Sequence, residues 1–283
     1  MARTAPFRIR YLLRITWLTL ATVSAVRAND PAISLHVDPP QANLVGNLAR
    51  LQLQVTGKTA HAQRVDLTRD VDYAVVPASL ASVSRSGAVV PMTSGTGIIR
   101  VRQGNRTAEI AIAISHILPE AQVSFKQDVI PILSRTGCNQ GACHGAQFGK
   151  GGFKLSLLGF APEQDYASLV REHPGRRISL VRPADSLLLR KALLQFAHQG
   201  GKRFPKNSYD HEVLTAWLHA GAPAPQPDEP EVVDLTVSPA ERVYRVGQQQ
   251  QLRVVAHYSD HSSRDVTRTA KYDSLSDAIA KVT

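Results

Sequence analysis

The sequence predicts a multidomain chain in which two β-sandwich modules flank a mainly helical domain. Three observations predict it. Five sequence blocks recur at an offset of 199 to 201 residues. Short β-prone runs separated by turn residues fill both ends. Between them lies a segment with helical spacing that holds the only two cysteines of the 283 residues.

The chain opens on Arg3, Arg8, Arg10 and Arg14, then an apolar run from Ile15 to Val26, then Val26-Arg27-Ala28. This is the layout of a secretory signal, residues 1–28, cleaved after Ala28. The alternative is an N-terminal anchor helix, but the run is shorter than the roughly 20 residues that span a bilayer. The signal carries five arginines and no acid, so removing it lowers the formal charge from +10 to +5. No Lys/Arg run is interleaved with aromatics, so nucleic acid is not an expected partner. The expected location is exported, periplasmic or associated with the cell envelope.

The first module is expected over residues 31–115 and a second, truncated one over 231–283. Val37-Asp38-Pro39 returns as Val237-Ser238-Pro239, and Val45-Gly46 as Val246-Gly247. Leu51 to Val55 returns as Leu252 to Val255, and Leu80-Ala81-Ser82-Val83 as Ile279-Ala280-Lys281-Val282. Asp66-Leu67-Thr68 before Tyr73 returns as Asp265-Val266-Thr267 before Tyr272. So constant an offset marks copies of one unit. Leu51, Leu53 and Val55 alternate with polar neighbours, and Ile98–Val101 and Glu109–Ile114 are β-prone runs bounded by Gly97, Gly104 and Asn105. These blocks resemble bacterial Ig-like domains of group 2, which implies a small β-sandwich and contact with the envelope or carbohydrate through the modules. Since the second copy stops little more than halfway, the chain reads as a fragment of a longer protein.

Residues 121–226 read differently. Phe125, Val129, Ile132 and Leu133 have helical spacing, with Ser124 as N-cap and Pro131 to be absorbed by a kink. His211–Ala220 is a second helix with Val213, Leu214, Trp217 and Leu218 on one face and Gly221 as its stop. Ala222-Pro223-Ala224-Pro225-Gln226-Pro227 is a stiff linker.

The chemistry-bearing residues are Cys138-Asn139-Gln140-Gly141-Ala142-Cys143-His144. Two thiols followed at once by a histidine suit covalent haem attachment, with the sulfurs on the vinyl groups and an imidazole on the iron. The usual two-residue spacer is four residues here. Two alternatives stand beside it: a structural disulfide, at home in an oxidising compartment, and a zinc site of Cys138, Cys143, His144 and His198. Gly149-Lys150-Gly151-Gly152-Phe153 lacks the spacing and the Ser/Thr of a phosphate loop. Arg176, Arg177 and Arg182 are candidates to pair with haem propionates.

Asp128–Leu133, Gly137-Cys138, Ala142-Cys143-His144-Gly145, Gly149–Phe153, Pro183–Leu189 and Trp217–Pro223 together resemble the planctomycete-type cytochrome c domains. The resemblance implies a mainly α cytochrome c-like domain over 121–226, haem c as cofactor, iron as its metal, electron transfer as function, and a redox partner protein. Relatives with the shorter spacer offer a distal methionine. This chain has only Met1 and Met92, neither in the segment. The cofactor-binding set is therefore Cys138, Cys143, His144 and His198, with His144 and His198 on the metal and His173 as the other distal candidate. Met/His ligation raises a haem potential, so a bis-His haem is expected to be of comparatively low potential. No Ser/His/Asp set or acidic pair suggests a separate catalytic reaction. The competing reading is a non-enzymatic cell-surface or adhesion protein, with Ig-like binding modules and the cysteines as a disulfide.

Overall fold

The computed structural model describes residues 32–282; the expected signal lies outside the described residues. The first copy comprises β1 (Ala32–Asp38), β2 (Gln41–Val45), β3 (Leu51–Gln52), β4 (Gln54–Thr59), β5 (Arg64–Asp66), β6 (Asp72–Val76), β7 (Ala81–Val83), β8 (Ala88–Pro91), β9 (Gly95–Gln103) and β10 (Arg106–Ser115). Its sheets have the orders β1-β4-β5, β2-β10-β9-β6 and β3-β8-β7. Alternation decides which side faces in. Ile110, Ile112 and Ile114 of β10 meet Ile99 and Val101 of β9, and Leu53, Val55 and Val37 close the core from the β1–β4 side. β2 pairs with β10 in parallel, so the module's second strand depends on its last.

The second copy supplies β11 (Val232–Ser238), β12 (Arg253–Tyr258) and β13 (Ser263–Asp265), in the order β11-β12-β13. The repeated Asp-x-Thr and Tyr have a physical cause. The Thr68 hydroxyl accepts from the Val55 amide at 2.9 Å, and the Thr267 hydroxyl accepts from the Val254 amide at 2.9 Å. The threonine amides in turn donate to Asp66 and Asp265, at 2.8 and 3.1 Å. Tyr73 and Tyr272 donate to the Thr68 and Thr267 carbonyls at 2.8 and 2.9 Å. Each set satisfies backbone groups where the chain leaves its sheet.

Between the copies, Ser124 caps as expected, its hydroxyl accepting from the Gln127 amide at 2.9 Å. The expected kink at Pro131 takes another form: a widened π-type turn, Phe125–Val129, runs into α1 (Ile130–Arg135), with Pro131 in the first turn where no amide is needed. α2 (Pro162–Tyr166) continues into a second π-type turn, Ala167–Arg171, followed by α3 (Leu187–Ala192) and α4 (Tyr209–His219). Trp217 of α4 is fully buried against Phe125, with ring centroids 5.4 Å apart, and its indole donates to the Pro223 carbonyl at 3.0 Å.

The expected fold class is corrected by this arrangement. Strand outweighs helix across the described residues, and in the middle segment only α4, at 11 residues, exceeds six. Long loops take the remainder, because glycines at 137, 141, 145, 149, 151, 152, 159 and 175 punctuate the stretch and glycine disfavours helix. Nor are the parts separate beads: residues 32–283 form one compact unit. The Gln54 amide donates to the Ser238 and Gln251 carbonyls at 2.7 and 2.5 Å, and the Gln52 amide N–H reaches Asp265 at 3.0 Å. Arg264 of the second copy pairs with the buried Asp128 at 2.8 Å, and Arg50 of the first copy pairs with Glu212 of α4 at 2.6 Å.

Candidate functional site

The cysteine-histidine loop leaves α1 through Gly137, whose φ of +80° suits a residue without a Cβ. It then folds on itself. The His144 amide donates to the Cys138 carbonyl at 3.0 Å, and the Gly145 amide to the Gln140 carbonyl at 3.0 Å. A Cβ on Gly145 would stand 2.1 Å from the Asn139 carbonyl oxygen, so this glycine is required by close approach.

The two thiols are free and unequal. Cys138 packs against the helical core, its sulfur 3.4 Å from the Thr136 hydroxyl, and burial pushes its thiol up. Cys143 is half-buried, with the Arg203 guanidinium 4.0 Å from its sulfur. Arg203 also donates to the Thr136 carbonyl at 3.1 Å, so one arginine ties the surroundings of both cysteines together. The sequence reading missed Arg203; its only signal was its place between Gly201 and Phe204.

His144 and His198 come together. Their ring centroids are 6.3 Å apart and their planes only 13° from parallel. His144 Nδ1 lies 3.0 Å from the Phe153 carbonyl oxygen and His198 Nδ1 lies 3.1 Å from the Gly201 carbonyl oxygen. A carbonyl only accepts, so each Nδ1 carries a hydrogen, and the uncharged form of either ring has its lone pair on Nε2. Burial lowers the pKa of His144, the Phe153 carbonyl opposes that, and His198 adds to the lowering.

Phe153 holds its carbonyl in place from a small hairpin with Lys150. Its ring lies 4.6 Å from that of His144, with the Arg177 guanidinium 4.7 Å from the Phe153 centroid. Arg177 is buried and donates to the Ser168, Glu172 and Gly152 carbonyls. Arg182 pairs with Asp185 at 3.2 Å. Arg177 thus supports the His144 hairpin, and among the described residues the exposed Arg176 has no carboxylate or carbonyl partner of this kind. His173 stands exposed in the turn before Gly175. Phe148, four residues after His144, and Phe160 are 83% and 78% exposed.

No group of three or more His, Cys, Asp or Glu side chains gathers to hold a metal among the described residues. The zinc expectation is therefore corrected, and so is the classification of the chain as a cytochrome-type iron protein. The described residues are a β-rich body without such a centre.

No family model matches the sequence, and no curated protein matches it. Solved structures with local similarity include domains 4 and 5 of the S-layer protein SbsC, at 18% identity over 31% of this chain and 55% of that one, with a TM-score of 0.26. Domains 4–9 of the same protein match at 19% identity over 33% of this chain and 16% of that one, with a TM-score of 0.27. This chain spans little more than half the length of the first and a smaller share of the second. Similarity at this level carries no conclusion about fold or function. No helix among the described residues is long and apolar enough to cross a membrane.

Proposed function

We propose that the chain is part of an exported, non-enzymatic cell-surface protein whose β modules form a binding body. The observation that carries this is the direct docking of the two copies. Gln54 reaches Ser238 and Gln251, and the Gln251 amide donates to Asp66, so the repeats form a continuous surface rather than freely jointed beads. Polar contacts of this kind fix orientation, which suits a surface that must present two modules together. The test is retention by the isolated cell envelope, together with cleavage by protease added to intact cells. Retention and cleavage support the reading; a protein found only in the cytoplasm and ignored by envelope preparations overturns it.

A second reading concerns a bound group and is favoured by the histidine pair. Covalently attached haem c on Cys138 and Cys143, with His144 and His198 as its protein ligands, fits the near-parallel rings, each with Nδ1 tied to a carbonyl and Nε2 free. The resemblance of residues 124–225 supports the same group, which would supply outer-sphere electron transfer. A pyridine haemochrome spectrum with intact mass decides: a gain of one haem supports this reading, and a colourless protein two hydrogens light makes the pair a disulfide.

A further inference from the structure

A cleft of about 500 Å³ runs between the outer face of β1-β4-β5 and the Ser238–Arg242 turn of the second copy. Strand alternation builds its floor, because His36, Thr56 and Lys58 share the face turned away from the first copy's core. The docking contacts set its depth: buried Gln54 donates to the Ser238 carbonyl at 2.7 Å, and the Ser238 hydroxyl donates back to Gln54 at 2.7 Å. Arg242 is held on the facing wall by Gln250, at 3.1 Å.

The cleft sets three cations, Lys58, Arg64 and Arg242, against two carboxylates, Glu241 and Asp38, the latter 3.2 Å from His36, and the placement of two of the cations is unusual for a sheet. Lys58 and Arg64 lie directly opposite each other in the β4–β5 register. Like charges so placed are destabilising, and neither has a carboxylate partner among the described residues. The fold does not require them: in the second copy the matching register pair is His257 and Ser263, without a fixed charge. The two opposed cations of the first copy line the cleft.

We propose that this cleft binds an acidic polysaccharide of the envelope, with Lys58 and Arg64 receiving a uronate carboxylate and Gln54, Thr56 and Ser238 facing sugar hydroxyls. The volume is that of a ligand site, in the range of roughly 300 to 1,000 Å³. No Phe, Tyr or Trp lines the cleft, so there is no ring for a neutral sugar to stack on. Recognition must come from charge and hydrogen bonds, which selects an acidic sugar over a neutral one. The inference rests on the surface-protein reading and names its ligand.

The experiment is affinity electrophoresis and calorimetry of the full chain with polygalacturonate, and with dextran as the neutral polymer. Polygalacturonate is expected to bind and dextran not. The double variant Lys58→Gln/Arg64→Gln should weaken polygalacturonate binding by about tenfold or more, as loss of charge-assisted contacts does. Arg69→Gln/Arg85→Gln removes the same charge from exposed positions of the same copy and should bind as the parent does. Equal weakening by both pairs would mean a diffuse basic surface and overturn the cleft. If polygalacturonate fails to bind while isolated envelope still retains the protein, the cleft proposal falls and the surface reading stands. Loss of envelope retention as well removes both.

Discussion

The two copies of the repeat carry the same hydrogen-bonded corner and opposite burial. Val37 of β1 is 5% exposed, and its counterpart Val237 of β11 is 44% exposed. In the first copy β6, β9 and β10 form the second sheet and cover β1 and β4. In the second copy no strand among the described residues plays that part. Among the described residues, 241–246, which match β2, form no strand, and Val243 is 97% exposed. The corner of Asp, Thr and Tyr needs only three neighbouring strands, so it forms in both copies. The apolar core needs strands distant in sequence, and among the described residues the first copy gathers such a core from β1, β4, β9 and β10.

The strongest break of this comparison is a core truncation. Ile112 of β10 is fully buried, and Ile112→Ala should cost about 2 to 5 kcal/mol, the range for such deletions. Leu235→Ala, at an exposed position of β11, should stay within about 0.5 kcal/mol. Urea unfolding followed by circular dichroism measures both. Equal losses would mean that the second copy has an apolar core of its own.

Next in size is the docking of the second copy. Arg264 answers the buried Asp128 at 2.8 Å and Gln127 at 3.1 Å. Arg264→Met leaves that carboxylate without its cation. Because the arginine side chain is 37% exposed, the expected loss is about 2 kcal/mol rather than the full cost of orphaning a buried ion. Limited proteolysis should then cut residues 227–283 sooner than in the parent. An unchanged cleavage rate would show that Gln52, Gln54 and Asp66 hold the second copy without help from α1's approach.

Why the copies were legible in the sequence and their docking was not follows from these residues. A constant offset and alternating aliphatics are properties of the chain itself, so the repeat, β9, β10 and the Ser124 cap could all be read directly. Gln52, Gln54 and Asp66 are polar residues on strands, and alternation assigns such residues to solvent. Gln52 and Gln54 are buried where they meet Asp265, Ser238 and Gln251 of the second module. The mainly helical expectation failed for a related reason. The periodic stretches around Phe125 and Trp217 are helical, but the glycine-rich length between them contributes loops, and a few apolar positions at helical spacing did not weigh that. His144 was nominated from its neighbour Cys143 and His198 from the lack of a nearby methionine, and the fold brings the two rings within 6.3 Å. Arg203 acts through position alone, and nothing in its neighbourhood announced it.

Smaller effects test whether the shared corner is equivalent in the two copies. Tyr73→Phe and Tyr272→Phe each remove one hydrogen bond to a threonine carbonyl, of 2.8 and 2.9 Å, and each should cost about 1 kcal/mol. A clear excess at Tyr73 would mean that the closed core amplifies the bond.

The smallest signal is the order in which these tyrosines ionise. Burial first, then Asp265, raises Tyr272 to about 12, and burial first, then Asp66, raises Tyr73 further still. A phenol whose folded pKa lies above its unfolded value of 10.0 favours the neutral form in the fold. Its contribution is complete below pH 10 and is lost as pH rises through the folded value. Absorbance at the phenolate band, compared between the parent and each Tyr→Phe variant, should therefore lose its step near pH 12 in Tyr272→Phe and a later one in Tyr73→Phe. Stability should fall above pH 10 through both phenols, with the loss from Tyr272 ending near pH 12 and the loss from Tyr73 continuing beyond it. Simultaneous ionisation would mean that the two corners are equally enclosed, and that the open face of β11 does not reach Tyr272.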